Sequence, residues 1–184
     1  MEREDSRFTI VKEIFPSETL SIMGSVLAGL ILSLIILEFK SFPILILLIP
    51  ALLSLRGNIS SPFIARTAKD LIIGQFNKRN IAENILSTYL LAIITAFLIG
   101  IFTLIINIFI FKFNYFSNEL FILIPLISML FTLSLVITIS ILLNSVVFKF
   151  GLDPNNIIPP IMTGIGEFFN VVFFYLTLIL LGVP

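Results

Sequence analysis

One carboxylate interrupts the last apolar stretch of the sequence. Glu167 lies among phenylalanines and other apolar residues, and Gly164 and Gly166 precede it. An ionised group at membrane depth is costly and usually marks an ion or substrate path. The two glycines leave space beside the carboxylate for an ion or a closely packed helix. Because hard cations such as Mg²⁺ and Ca²⁺ prefer oxygen ligands, we interpret Glu167 as the central ligand of a cation path.

Helical periodicity predicts further oxygen-bearing side chains along the same path. Residues three and four apart share a face of a helix, which places Thr163, Asn156 and Asn170 on the side of Glu167. Asp153 begins the segment and is expected to attract cations at its mouth. An alternative for a lone carboxylate is that Glu167 is protonated and makes a structural hydrogen bond to a neighbouring helix.

The composition is that of an integral membrane protein. Of the 184 residues, 58% are hydrophobic and 12% charged, whereas soluble domains have about 45–50% and about 25%. The mean hydropathy is +1.16. The chain has no Cys and no His, which excludes thiol chemistry and the usual zinc, copper and haem ligands. Because the formal net charge is zero, we expect no nucleic acid partner. We also expect a channel or transporter rather than an enzyme.

The apolar segments predict an all-α fold with five transmembrane helices. A spanning helix needs about 20 apolar residues, and the first such stretch begins at about residue 19. The sequence therefore divides into an N-terminal segment and a transport domain. Residues 1–18 are expected to form a cytoplasmic amphipathic segment, although a poorly ordered tail fits them equally well, and residues 19–184 form the five-helix domain. The predicted spans cover residues 19–39, 42–75, 81–111, 121–148 and 152–181.

The second span is predicted to be broken. Its apolar part, residues 42–55, is only about two-thirds as long as a bilayer requires, and Arg56-Gly57-Asn58 and Pro62 follow. Such interruptions free backbone carbonyls that can coordinate ions, so Asn58 is a further candidate ligand. A short re-entrant or tilted span with a cytoplasmic polar half is the alternative.

Basic residues cluster on one set of predicted flanks. The positive-inside rule therefore predicts a cytoplasmic N-terminus and a C-terminus on the outside. The residues on the cytoplasmic side are Arg3, Arg7, Lys12, Lys69, Lys78, Arg79 and Lys149, against Lys40 and Lys112 on the other side.

Two separated motifs resemble the MgtE magnesium transporters and, more closely, their relatives in solute carrier family 41. The stretch PALLSLRGN at residues 50–58, followed by Arg66, is similar to the second-helix signature of that group. The stretch DPNN at residues 153–156, followed by Pro160, Thr163 and Gly166-Glu167, is similar to the fifth-helix signature. The bacterial pattern has small residues and Gln where Ile-Ser-Ser-Pro stands at residues 59–62.

The resemblance implies a half-size member that pairs into a homodimer with its pore on the two-fold axis; a hetero-partner is the alternative. An acidic residue at the position of Glu167, usually Asp, binds Mg²⁺ in the family. Mn²⁺, Co²⁺ and Ca²⁺ also accept oxygen ligands and remain alternatives. The regulatory domains of bacterial members are not expected within these residues.

The function that we expect is Mg²⁺ transport through a dimeric, acid-lined pore in the plasma membrane, by a multi-pass protein whose partners are the cation, the bilayer and a second copy. A Na⁺- or H⁺-coupled exchanger that uses the same site is the main alternative. A membrane subunit that transports nothing is the third.

Overall fold

Apolar stretches long enough to cross a bilayer fold into helices because a helix satisfies its own backbone hydrogen bonds. In the computed structural model, which describes residues 7–38, 43–112 and 117–183, five helices are long and apolar enough to span a membrane. The described part of the chain is all-helical and contains no strand. The helices are α1 (Arg7–Glu38), α2 (Pro43–Ile72), α3 (Lys78–Ile106), α4 (Leu120–Lys149) and α5 (Pro154–Leu180).

The helix boundaries follow local sequence signals. Asp153 accepts a hydrogen bond from the backbone N–H of Asn155, and Pro154 opens α5, since proline is preorganised for the first position of a helix. Asn77 caps α3 in the same manner by accepting from the N–H of Asn80. The π-helical turn Asn107–Phe111 ends α3.

The predicted break in the second span is wrong. Residues 43–72 form one uninterrupted helix that contains both Gly57 and Pro62. Pro62 and its neighbour Ser61 are exposed, so the hydrogen bond that proline removes lies on a face that none of the five described helices covers. On the opposite face, Leu52 and Phe63, one on each side of the predicted break, are buried in the core. Packing on that face therefore keeps α2 helical through the predicted interruption.

The predicted boundary after residue 18 lies inside a helix, because α1 continues from Arg7 to Glu38. The cytoplasmic location of the first segment stays a prediction. Helix α5 packs against α1, α2 and α4, and α3 packs against α2 and α4. Helix α5, on which Glu167 lies, thus contacts helices from both the N-terminal and the C-terminal half of the sequence.

Candidate functional site

Glu167 is the central residue of the 27-residue helix α5, and it faces an arginine of α2. Arg56 Nη2 lies 3.9 Å from Glu167 Oε1, and the two side chains are 4% and 28% exposed, respectively. Nη1 of Arg56 also donates a hydrogen bond to the backbone carbonyl of Met162, at 3.2 Å. The carboxylate is therefore balanced by a charge from within the chain, and it keeps an accessible side.

Gly166 forms the surface on which the arginine lies. A Cβ atom at that position would stand 2.8 Å from Arg56 Cζ and 2.9 Å from its Cδ, which is closer than atoms pack. Gly164 meets the backbone of α1 instead, since a Cβ there would lie 2.6 Å from the carbonyl oxygen of Ser21. The space that the two glycines leave is therefore filled by a guanidinium at one position and by a closely packed helix at the other.

Thr163 and Asn170 lie in different surroundings, although both were predicted beside Glu167. Thr163 is exposed, and its hydroxyl donates to the carbonyl of Pro159 at 2.9 Å. Asn170 is only 2% exposed and packs on α4, where its Oδ1 accepts a hydrogen bond from Thr132 at 3.3 Å. Asn170 Nδ2 has no hydrogen-bond partner among the described residues.

Asp153 and Asn156 lie near the first turn of α5. One Asp153 oxygen is engaged as the helix cap. Asn156 Nδ2 donates to Glu13 Oε2 of α1 at 3.1 Å. Glu13 is thus a second carboxylate near the predicted mouth, and sequence reasoning missed it. An open cavity of about 510 Å³ lies at this end of α1 and α5, lined by Lys12, Glu13, Ser17, Leu152, Ile157 and Ile161 among others.

Asn58 does not approach Glu167 within one chain. Asn58 lies two positions after Arg56, with only Gly57 between them, so the two side chains leave nearly opposite sides of α2. Arg56 is buried against α5, whereas Asn58 is exposed and its Nδ2 makes a long contact of 3.5 Å with Ser54 Oγ. Because Pro62 has no N–H, the main-chain carbonyl of Asn58 also loses its usual helical donor. Oxygens are therefore available at Asn58, but on the outer face of the chain.

Sequence reasoning missed Arg56 as the partner of Glu167. A signal was present: a cation in the middle of an apolar span is costly and pairs with another group, and Glu167 is the acid at the centre of α5. What the sequence did not show is how α2 and α5 are rotated against each other.

A second polar cluster ties α2 to α3 near their joined ends. Asn84 Oδ1 accepts from Arg66 Nε at 2.6 Å. Its Nδ2 donates to the carbonyl of Phe63 at 3.3 Å and to Thr67 Oγ1 at 3.2 Å. An open cavity of about 400 Å³ adjoins this cluster, lined by Lys69, Asp70, Asn80, Glu83 and Ser87 besides Arg66 and Asn84.

Within residues 7–38, 43–112 and 117–183, no three acidic, His or Cys side chains come together as a ready metal site. A cation that binds Glu167 must therefore complete its coordination with waters, with neutral oxygens or with groups of a second chain. Mg²⁺ commonly keeps several waters in protein sites.

Comparison with known protein families gives a match that covers most of the chain. A sequence model described as MgtE, divalent cation transporter, matches residues 49–177. This segment includes α3 and α4 completely and most of α2 and α5. No curated protein and no solved structure matches the chain.

Proposed function

Because the chain belongs to the MgtE family of divalent cation transporters, we propose that this multi-pass membrane protein carries Mg²⁺ through a site built on Glu167. The observation that supports this assignment most directly is the position of the carboxylate. It stands at the centre of a membrane-spanning helix and is 28% exposed rather than sealed in a dry contact. A carboxylate in that position attracts a dication and keeps a side from which the ion approaches.

A two-fold axis would supply the second half of the site. In a symmetric dimer each residue near the axis meets its own copy, so two Glu167 carboxylates share one Mg²⁺ together with its waters. Thr163, exposed one turn away, offers a hydroxyl oxygen to the same path, and Asn170 lies one turn deeper. Asn58 contributes from the outer face of α2.

The mouth of the path is proposed to lie at the first turn of α5. Asp153, Asn156 and Glu13 gather there and present carboxylate and amide oxygens to entering cations. We propose that this end, with the N-terminus, lies in the cytoplasm, since the predicted flanks on that side carry most of the Lys and Arg residues. We propose that the protein lies in the plasma membrane.

The test is Mg²⁺ flux into liposomes that contain the purified chain. Glu167→Ala is expected to abolish flux because it removes the central ligand, while the thermal unfolding profile stays that of a folded protein. Glu119→Ala is the matched control, since Glu119 is an exposed carboxylate in front of α4, and flux should continue. Normal flux in Glu167→Ala would contradict the assignment.

A coupled exchanger is the second candidate, and the Arg56–Glu167 pair favours it. A site that already holds an internal cation must rearrange when the transported ion arrives, which suits alternating access. In the same liposomes, flux that stops when the Na⁺ and pH gradients are both removed would identify an exchanger. Flux that follows the Mg²⁺ gradient alone would identify a channel.

A further inference from the structure

Arg56 and Glu167 form an ion pair that lacks a direct hydrogen bond. Their closest charged atoms, Nη2 and Oε1, are 3.9 Å apart, beyond the roughly 2.7–2.9 Å of a charge-assisted hydrogen bond. The arginine side chain is almost fully buried, whereas the carboxylate is 28% exposed. The carboxylate thus feels the positive charge of Arg56 but keeps oxygen lone pairs free for another cation.

The guanidinium is also incompletely bonded where it lies. Nη1 donates to the carbonyl of Met162 at 3.2 Å, but Nε has no hydrogen-bond partner among the described residues. A buried donor without an acceptor is costly, so this position is less stable than the depth of burial alone suggests. The group lies against Gly166, where a Cβ would be 2.8 Å from Arg56 Cζ, so the guanidinium occupies space that a larger residue at 166 would fill.

On the basis of the proposed function, we infer that Arg56 is a tethered counter-cation, a positive charge that belongs to the chain itself. It neutralises Glu167 between transport events, and the arriving dication displaces it. Arg does not lose its proton in proteins, so its charge leaves the carboxylate only by movement of the side chain. While the dication is bound, the nearby positive charge repels it and weakens its binding. Weak binding serves transport, since an ion that binds too tightly does not leave.

The first prediction concerns affinity. Arg56→Gln removes the competing charge, so the half-saturating Mn²⁺ concentration, measured by electron paramagnetic resonance on the purified chain, should fall by about tenfold or more. Arg56→Lys keeps the charge and should stay within about threefold of the unaltered protein. Arg79→Gln makes the same chemical change at an exposed ion pair on α3 and should leave Mn²⁺ binding unchanged.

The second prediction separates affinity from turnover. In liposomes, Arg56→Gln should lower both the half-saturating Mg²⁺ concentration and the maximal rate of flux, because no internal cation returns to Glu167 when the ion leaves. A purely structural role for Arg56 would reduce the maximal rate and leave the half-saturating concentration where it was.

The third prediction uses stability, with Arg56→Met as a second neutral variant. Without Arg56, the ion-free protein holds an unbalanced carboxylate, and Mg²⁺ should raise its unfolding midpoint more than it raises that of the unaltered protein. An equal shift would overturn the counter-cation role. Failure of both neutral variants to fold would also overturn it, since a group that leaves Glu167 in every cycle cannot be required for the fold.

Glu167→Gln distinguishes the two levels of inference. If Glu167→Gln loses saturable Mn²⁺ binding while Arg56→Gln binds no more tightly than the unaltered protein, the counter-cation role fails and the proposed function stands. If Glu167→Gln binds Mn²⁺ normally, the proposed site itself fails.

Discussion

At the scale of single residues, the Asn84 side chain joins α3 to α2 through several hydrogen bonds. Its amide group contacts Arg66, Thr67 and the backbone carbonyl of Phe63, so one α3 side chain satisfies three groups of α2. Only 8% of Asn84 is exposed. A buried polar group with all its partners in place stabilises an interface, whereas removing one partner leaves the others unpaired.

We therefore expect Asn84→Leu to lower the free energy of unfolding by about 1–3 kcal/mol, measured as a lower thermal midpoint in detergent. Ser87→Ala is the matched control. Ser87 lies nearly one turn along the same helix, is exposed, and donates its hydroxyl hydrogen to the backbone carbonyl of Glu83 within α3. Equal midpoints for the two variants would show that the cluster does not hold α2 and α3 together.

The site also shows how far residue-scale reasoning from the sequence extends. Thr163, Asn170 and Thr177 are seven residues apart in turn, so they point in nearly the same direction from α5. Thr163 is exposed, Asn170 bonds to Thr132, and Thr177 accepts a hydrogen bond from Ser128. Periodicity predicted the direction of this stripe. It could not predict that α4 covers only the deeper part, because coverage depends on how two helices cross.

At the scale of the helices, α1 and α5 cross where two glycines meet. A Cβ on Gly24 would lie 2.6 Å from the backbone of Gly164, and a Cβ on Gly164 would lie equally close to Ser21. Small residues that allow such backbone contact are typical of membrane helix interfaces. The contact is directly N-terminal to Gly166 and Glu167, so it fixes the position of the candidate site relative to α1.

Gly164→Ala should therefore separate α1 from α5, with a loss of about 1–3 kcal/mol as expected for overpacking and a reduced rate of Mg²⁺ flux. Gly29→Ala is the control on α1, because no atom lies within 4 Å of the added Cβ there. Thermal unfolding and liposome flux measure the two effects. A larger loss of stability and flux in Gly29→Ala than in Gly164→Ala would contradict the role of this helix crossing.

The five helices were predictable because apolar length is a local property of the sequence. The fourth span was predicted at residues 121–148, and α4 is Leu120–Lys149. The break in α2 was predicted wrongly from equally local signals. Gly57 and Pro62 are helix breakers in isolation, but buried residues such as Ile59 and Phe63 hold that part of α2 in the core. Tertiary packing overrides local preference here, and no local pattern reveals it.

Pro62 nevertheless removes one backbone hydrogen bond from the continuous helix, because proline has no N–H. Restoring an N–H with Pro62→Ala should raise the thermal midpoint, because proline disfavours a helix interior. It should also lower Mg²⁺ flux if the freed carbonyl of Asn58 serves the ion path. Pro50→Ala makes the same repair in an apolar part of α2 and should stabilise the protein without lowering flux. Identical flux in both variants would remove the Asn58 carbonyl from the path.

At the scale of the whole molecule, α2 presents a polar stripe that the described part of its own chain leaves uncovered. Ser54, Asn58 and Ser61 are exposed at spacings of four and three residues, so they lie on one side of the helix. The other side of α2 already packs against α3, α4 and α5. Polar side chains at membrane depth face protein or water rather than lipid. A second copy of the chain, placed around a wet axis, satisfies both conditions.

The absence of cysteine from the sequence makes this pairing directly measurable. In liposomes at low protein density, Ser54→Cys and Ser61→Cys should each give a covalent dimer with a short bifunctional thiol reagent, because each residue would face its own copy across the proposed two-fold axis. Ile94→Cys is the control: Ile94 is 58% exposed on α3 and should stay monomeric. Dimers from Ile94→Cys, with none from Ser54→Cys or Ser61→Cys, would show that the partner packs against α3 and not against the polar stripe of α2. The stripe and Asn58 would then face lipid, and the ion path would have to run through a single chain, where Arg56 already occupies the buried side of Glu167.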